Sequence, residues 1–191
     1  MRRDRQRALK VVLLTAVGTT ALAFAVAPAG AQMAEPDEWA DEVCSTAINW
    51  ADALDSAGDE FNEADTPEEA ADALDAAVDE TTAVIRTIRR AGRPNVDGGK
   101  AARRGLVRLF RDARTVMEEA AAEAGDLPDE DGLSDGKADI DEQIGSGLSE
   151  LGPDLDAVYE DADAELQAAL EDDSSCQAVF GFENGSGSGE E

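Results

Sequence analysis

Apolar positions recur along this chain with a helical period. Trp39, Val43, Ala47, Trp50, Leu54, Ala57 and Phe61 are spaced by three or four residues, with mostly polar or small residues between them. That spacing lines them along one face and predicts a helix from about Pro36 to Ala64. Thr66-Pro67-Glu68-Glu69 follows and reads as a helix start. Thr66 caps, Pro67 suits the first turn, and Glu69 reaches back to the cap. The second helix then places Ala70, Leu74, Ala77, Val78, Thr81, Ile85 and Ile88 on one face, and Gly92 and Pro94 end it. Asp97 is the expected cap of a third helix whose inward face holds Leu106, Leu109, Phe110, Ala113, Val116, Met117 and Ala120, with Gly125 and Pro128 at its end. Asp126 to Gly136 reads as an acidic loop. The fourth helix carries Ile140, Ile144, Leu148, Leu151, Leu155, Val158, Ala162 and Leu166. Gly152-Pro153 interrupts it, yet the apolar phase continues, which predicts one kinked helix. No alternating run is long enough for a sheet.

Four amphipathic helices with mostly short connections predict an all-α fold, an antiparallel up-down-up-down four-helix bundle spanning residues 32–180. Residues 181–191 (Gly-Phe-Glu-Asn-Gly-Ser-Gly-Ser-Gly-Glu-Glu) read as a flexible tail.

The N-terminus changes the compartment. Arg2, Arg3, Arg5, Arg7 and Lys10 precede an uncharged apolar run from Val11 to Ala27, and Ala29-Gly30-Ala31 offers small residues for cleavage. Residues 1–31 therefore read as a secretory signal peptide. An uncleaved signal anchor is the alternative, since a spanning helix needs about 17–25 residues. No later stretch is apolar and long enough to span a membrane, so the expectation is a secreted or cell-envelope protein without a span after cleavage. Two cysteines remain, Cys44 and Cys176. In an exported chain such a pair reads as one disulfide, the alternative being two buried thiols. In an even-numbered bundle the start of the first helix and the end of the fourth share one end, so the two can meet.

Charge is abundant and uneven. The signal takes 5 of the 16 basic and 1 of the 44 acidic residues, leaving 11 and 43 and a formal charge of −32. Such a surface repels nucleic acid and anionic headgroups, so no nucleic acid partner is expected. Ten of those 11 basic residues lie between Arg86 and Arg114, and only Lys137 lies outside. Lys100, Arg103, Arg104, Arg108, Arg111 and Arg114 fall opposite Leu106, Leu109 and Ala113 on a helical wheel, an outward basic stripe. The end of the second helix would bring Arg86, Arg89, Arg90 and Arg93 to the same tip. The functional reading is a docking surface, centred on Arg103, Arg104, Arg108 and Arg111, for an anionic envelope polymer or acidic partner. The competing reading is internal compensation by Glu35, Asp37, Glu38, Asp41, Glu42, Glu171, Asp172 and Asp173. The basic residues sit in the N-terminal half of their helix, where the dipole disfavours them, so local helix stability did not select them.

Several short motifs resemble a loose group of small exported actinobacterial helical proteins of unknown function: Trp39-x4-Cys44-x5-Trp50, Arg93-Pro94-x-Val96-x-Gly98, and Cys176-Gln177. The resemblance implies secretion, helices and the cysteine pair. It supplies no active site, and the lipid-anchor cysteine of some members is absent here.

The other end of the bundle is acidic. Asp131, Asp135, Gly136, Asp139 and Glu142 match positions 1, 5, 6, 9 and 12 of a calcium-binding EF-hand loop, with Leu133 and Ala138 as mismatches. A low-affinity calcium or cation binder using residues 126–142 is thus the alternative function. No other cofactor is expected. Catalysis has little support: the chain has no His, carboxylates are too numerous for a pair to stand out, and no Gly-rich phosphate loop follows a strand. An enzyme is the third reading. Trp39 and Trp50 suit a core face or a ligand groove. Periodicity alone sets no oligomeric state.

Overall fold

The computed structural model describes residues 33–180. The signal read in 1–31 and the tail read in 181–191 lie outside the described residues. Among the described residues the fold is all-α apart from one short strand pair. Its elements are β1 (Met33–Ala34), α1 (Pro36–Glu63), α2 (Pro67–Ala91), β2 (Arg93–Pro94), α3 (Gly99–Asp126), α4 (Glu130–Ser149), α5 (Gly152–Glu160), α6 (Ala164–Asp172) and α7 (Ser174–Phe180).

The first two helices match their signals closely. Pro36 opens α1, and Asp37 and Glu38 face the positive end of its dipole. A capping box closes the start of α2: the Thr66 hydroxyl accepts from the Glu69 N–H (3.2 Å), and the Glu69 carboxylate accepts from the Thr66 N–H (3.2 Å). Gly92 ends α2 with a φ of 82°.

The start of α3 corrects the sequence reading. Its cap is Gly98, left-handed at φ 79°, not Asp97. The chain leaves β2, which pairs in parallel with β1, and must turn sharply into the helix. A left-handed residue makes that turn, and glycine adopts it at little cost. The pair of strands is only two residues long, too short for an alternation to reveal.

The acidic loop is also corrected. The chain is helical from Glu130, so only residues 127–129 connect α3 and α4. Asp129 accepts a hydrogen bond from the Gly132 N–H (2.9 Å), and Glu130 and Asp131 sit in the first turn. Carboxylates there stabilise the helix, so a charge run that reads as a loop can start one. Leu133, 2% exposed, anchors that turn in the core.

The expected bend occurs between α4 and α5: Glu150 and Leu151 keep right-handed helical torsions, and Pro153 enters the first turn of α5. One further break, at Asp163, departs from the expectation, and Asp173 starts a short helix past the expected end. Asp163 caps α6 through the Leu166 N–H (2.9 Å), and Asp173 accepts from the N–H groups of Ser175 and Cys176 (2.9 Å each). Asp competes with the helical ladder by bonding nearby N–H groups, so one kinked helix becomes three pieces, α4 to α6, and a separate short helix, α7, follows.

Helix α2 packs against α1 and α3, α3 against α4 and α5, and α1 against α6 and α7. At one end Trp39, Val43, Ile88, Leu106, Phe110 and Leu166 form the core, and at the other Phe61, Leu74, Ala120, Leu133 and Ile140 do so. Cys44 and Cys176 form a disulfide with a Cα–Cα distance of 4.9 Å. It ties α7 to α1. Among the described residues no helix is long and apolar enough to cross a membrane.

Lys137, the one basic residue far from the stripe among the described residues, has a structural task. Its ammonium donates to the carbonyls of Asn62 (2.8 Å) and Ala64 (2.7 Å) and lies 5.9 Å from the Phe61 ring centre. The last turn of α1 contains no basic residue, so α4 supplies the cation that its negative end favours. Replacing Lys137 with Met is expected to cost about 1–2 kcal/mol, within the range for hydrogen bonds to a charged donor that stays partly solvated. A urea midpoint equal to that of the wild type would show that water satisfies the end of α1 instead.

Candidate functional site

The basic stripe divides by burial. Lys100, Arg104, Arg108 and Arg111 on α3 are exposed, as are Arg86, Arg89 and Arg90 at the end of α2. Arg103 and Arg114 are half-buried. Arg103 donates to the Arg89 carbonyl (3.1 Å), which seals the last turn of α2 against the start of α3. That contact places the two basic groups at one tip. Arg114 pairs with Glu118 one turn along α3 (3.2 Å). It is the only ion pair within 4 Å among the described residues. The acidic residues proposed as counter-charges, from Glu35 to Glu42 and from Glu171 to Asp173, therefore form no ion pair with the stripe.

Of the four arginines singled out from sequence, three face solvent and Arg103 is tied into the fold. The wheel could not separate them, because the carbonyl that Arg103 reaches belongs to another helix. A groove of about 360 Å³ runs between α3 and α5, with Arg104 and Arg108 on one wall and Asp154 and Asp161 on the other. Gly105 lets the two helices approach: a Cβ there would lie 2.6 Å from Val158 Cγ2. The only hint in the sequence was a glycine inside a good helix.

The candidate calcium ligands do not converge. Asp131, Asp135, Asp139 and Glu142 are exposed along α4, over a rise of about 16 Å at 1.5 Å per residue. An EF-hand needs a loop to wrap these positions around one point. Among the described residues no group of three or more acidic, His or Cys side chains is placed to hold a metal ion.

Trp39 and Trp50 part company. Trp39 is core, 1% exposed, and its indole N–H has no hydrogen-bond partner among the described residues. Trp50 is half-buried and lines an apolar groove of about 420 Å³ beside Phe110. Tyr159 donates its hydroxyl proton to the Glu171 carboxylate and lies 5.9 Å from the Phe180 ring. The hydrogen bond to Glu171, with burial adding to it, raises the Tyr159 pKa above its ordinary value. This contact links α5 to α6.

Comparison with models of protein families, with curated proteins and with solved structures finds no match for the chain. The functional reading rests on the residues themselves.

Proposed function

We propose that this is an exported, non-enzymatic acidic protein that acts by binding, as a cell-envelope component, and that its basic tip docks an anionic envelope polymer. One observation carries the reading. Arg104, Arg108 and Arg111 are exposed and make no ion pair among the described residues, and outside 86–114 the charged residues from 33 to 180 are all acidic except Lys137. Exposed cations without an ion pair within 4 Å are available to a polyanion, and the acidic remainder repels it elsewhere, which fixes orientation. The signal-like N-terminus and the disulfide are consistent with export. The same reading takes the helical segments as an up-down-up-down arrangement of four. The short links at 64–66 and 127–129 support it, as do the contacts of Arg103 with the end of α2 and of Lys137 with the end of α1.

The test compares the wild type with a variant in which Arg104, Arg108 and Arg111 are changed to Gln. Binding to immobilised poly(glycerol phosphate) is measured against uncharged dextran. The variant is expected to melt like the wild type and to lose about tenfold or more in affinity, or roughly 1.4 kcal/mol. Equal affinity of the two forms would remove the docking role. Arg103→Gln is expected to behave differently. It lowers stability by about 1 kcal/mol, because it removes a hydrogen bond to the end of α2, and a melting curve reads this directly.

A further inference from the structure

The broken fourth segment leaves a second surface unused by the basic tip. After Gly152-Pro153 the chain returns to α1 through α7, and a groove of about 420 Å³ remains between α1, α3, α5 and α7. Phe110 and Leu106 line it from α3, Trp50 from α1, and Leu155, Val179 and Phe180 from the returning chain. This volume lies in the range of small-molecule sites, about 300–1,000 Å³.

Trp50 is held in place. Its indole N–H donates to the Thr81 hydroxyl (2.8 Å), which in turn donates to the Ala77 carbonyl (2.7 Å). The ring meets Phe110 edge-to-face, with centres 5.0 Å apart and planes at 84°. The indole is thus satisfied within the protein and needs nothing polar from a ligand. Ordering it in advance reduces what binding must supply.

The charge at the groove is one-sided. Among the described residues Asp52 is the only charged one lining it, is exposed, and has no ion pair. Among the described residues no basic side chain lines the groove. An apolar trough with fixed aromatic rings and one free carboxylate matches an alkyl chain carrying a cationic head. The chain fills the trough beside the Trp50 and Phe110 rings, and the head sits at Asp52, whose carboxylate attracts a cation. An anionic head would meet Asp52 and the field of a strongly acidic chain.

We propose that this groove binds an alkyl-bearing organic cation, with its ammonium at Asp52 and its chain along the apolar wall that Trp50 and Phe110 help to form. The site is separate from the basic tip, so either proposal can fail without the other. Dodecyltrimethylammonium below its micellar concentration is the probe, and dodecyl sulfate is its anionic counterpart of equal chain length. Titration calorimetry at physiological ionic strength on the oxidised protein is expected to show saturable one-to-one binding of the cation, about tenfold or more tighter than the sulfate. Asp52→Asn, an exposed change that leaves the melting curve in place, should reduce that preference to about threefold or less. Glu60→Gln removes the same charge from the same helix outside the groove and should leave the preference unchanged. The proposal is overturned by absence of saturable binding, by equal affinity for the two probes, by an unchanged preference in Asp52→Asn, or by equal losses in the two variants.

Discussion

Replacing Cys44 and Cys176 together with Ser is expected to lower stability by about 2–5 kcal/mol, the largest effect of any change considered for this chain. The bridge spans 132 residues of sequence. Closing a loop of that length in the unfolded chain has an entropic effect of about 5 kcal/mol, an upper value in the chain-entropy model. The native side explains why the effect should be local as well as global. Helices α5, α6 and α7 have only 9, 9 and 7 residues. Helices below about 12–15 residues have little stability of their own and depend on packing. Cys176, 0% exposed, anchors α7 directly to α1, and α6 leads into it. Reduction should therefore free residues 164–180 before the longer helices separate. A melting point lower by roughly 5–15 °C is expected from the per-kcal shift for a domain of this size. Hydrogen exchange should show early loss of protection in 164–180 while α2 stays protected. A reduced protein that melts within about 2 °C of the oxidised form would show that packing alone holds the returning chain.

Changing Gly99 to Ala is expected to destabilise by about 3 kcal/mol, against the usual direction of such a change in a helix. A Cβ at Gly99 would lie 2.2 Å from the Pro94 carbonyl oxygen and 3.0 Å from Pro94 Cγ. That oxygen belongs to backbone and has little room to retreat. Pro94 is in β2, paired with Ala34, and the next N–H, of Asn95, donates to the Ala34 carbonyl (2.9 Å). Relief of the overlap must move the turn that carries Arg93 and starts α3, so Arg103 should lose its register against Arg89. Gly58 and Gly145 supply the control, because nothing lies within 4 Å of a Cβ at either position. Alanine there should stabilise by about 0.5–1 kcal/mol each, the ordinary helix preference. Urea midpoints read all three variants. A Gly99→Ala protein as stable as the wild type would mean that the 93–98 turn relaxes freely and does not position the basic tip.

Much of the helical framework is legible in the order of residues. The apolar period predicts a first helix from Pro36 to Ala64, and α1 runs from Pro36 to Glu63; the Thr66–Glu69 capping box forms as its four residues predict. These signals are short-range. A period of 3.6 residues or a cap at a spacing of three is contained within one turn or a few. The C-terminal third is less legible because Asp is so common there. The same residue type caps a helix at Asp129, Asp163 and Asp173 and lies exposed in mid-helix at Asp139 and Asp141. Only the burial of Leu133, Leu166 and Cys176 decides which role each carboxylate takes. Composition cannot make that choice, since it depends on which apolar side chains reach the core.

The candidate sites divide in the same way. The clustering of basic residues between Arg86 and Arg114 is a property of the chain, and so is the pairing potential of two cysteines near its ends. Local chemistry therefore determined the helices, the charge segregation and the expectation of a staple. The tertiary structure decided that Arg103 is bound to Arg89 while Arg104, Arg108 and Arg111 remain free of ion pairs among the described residues. It decided that Lys137 closes the end of α1, that the EF-hand spacing lies along a helix, and that Trp50 borders a groove while Trp39 is buried in the core. Each of these depends on distances between segments far apart in sequence. Those distances are set by how helices of unlike length pack against one another, and no periodicity within a single segment encodes them.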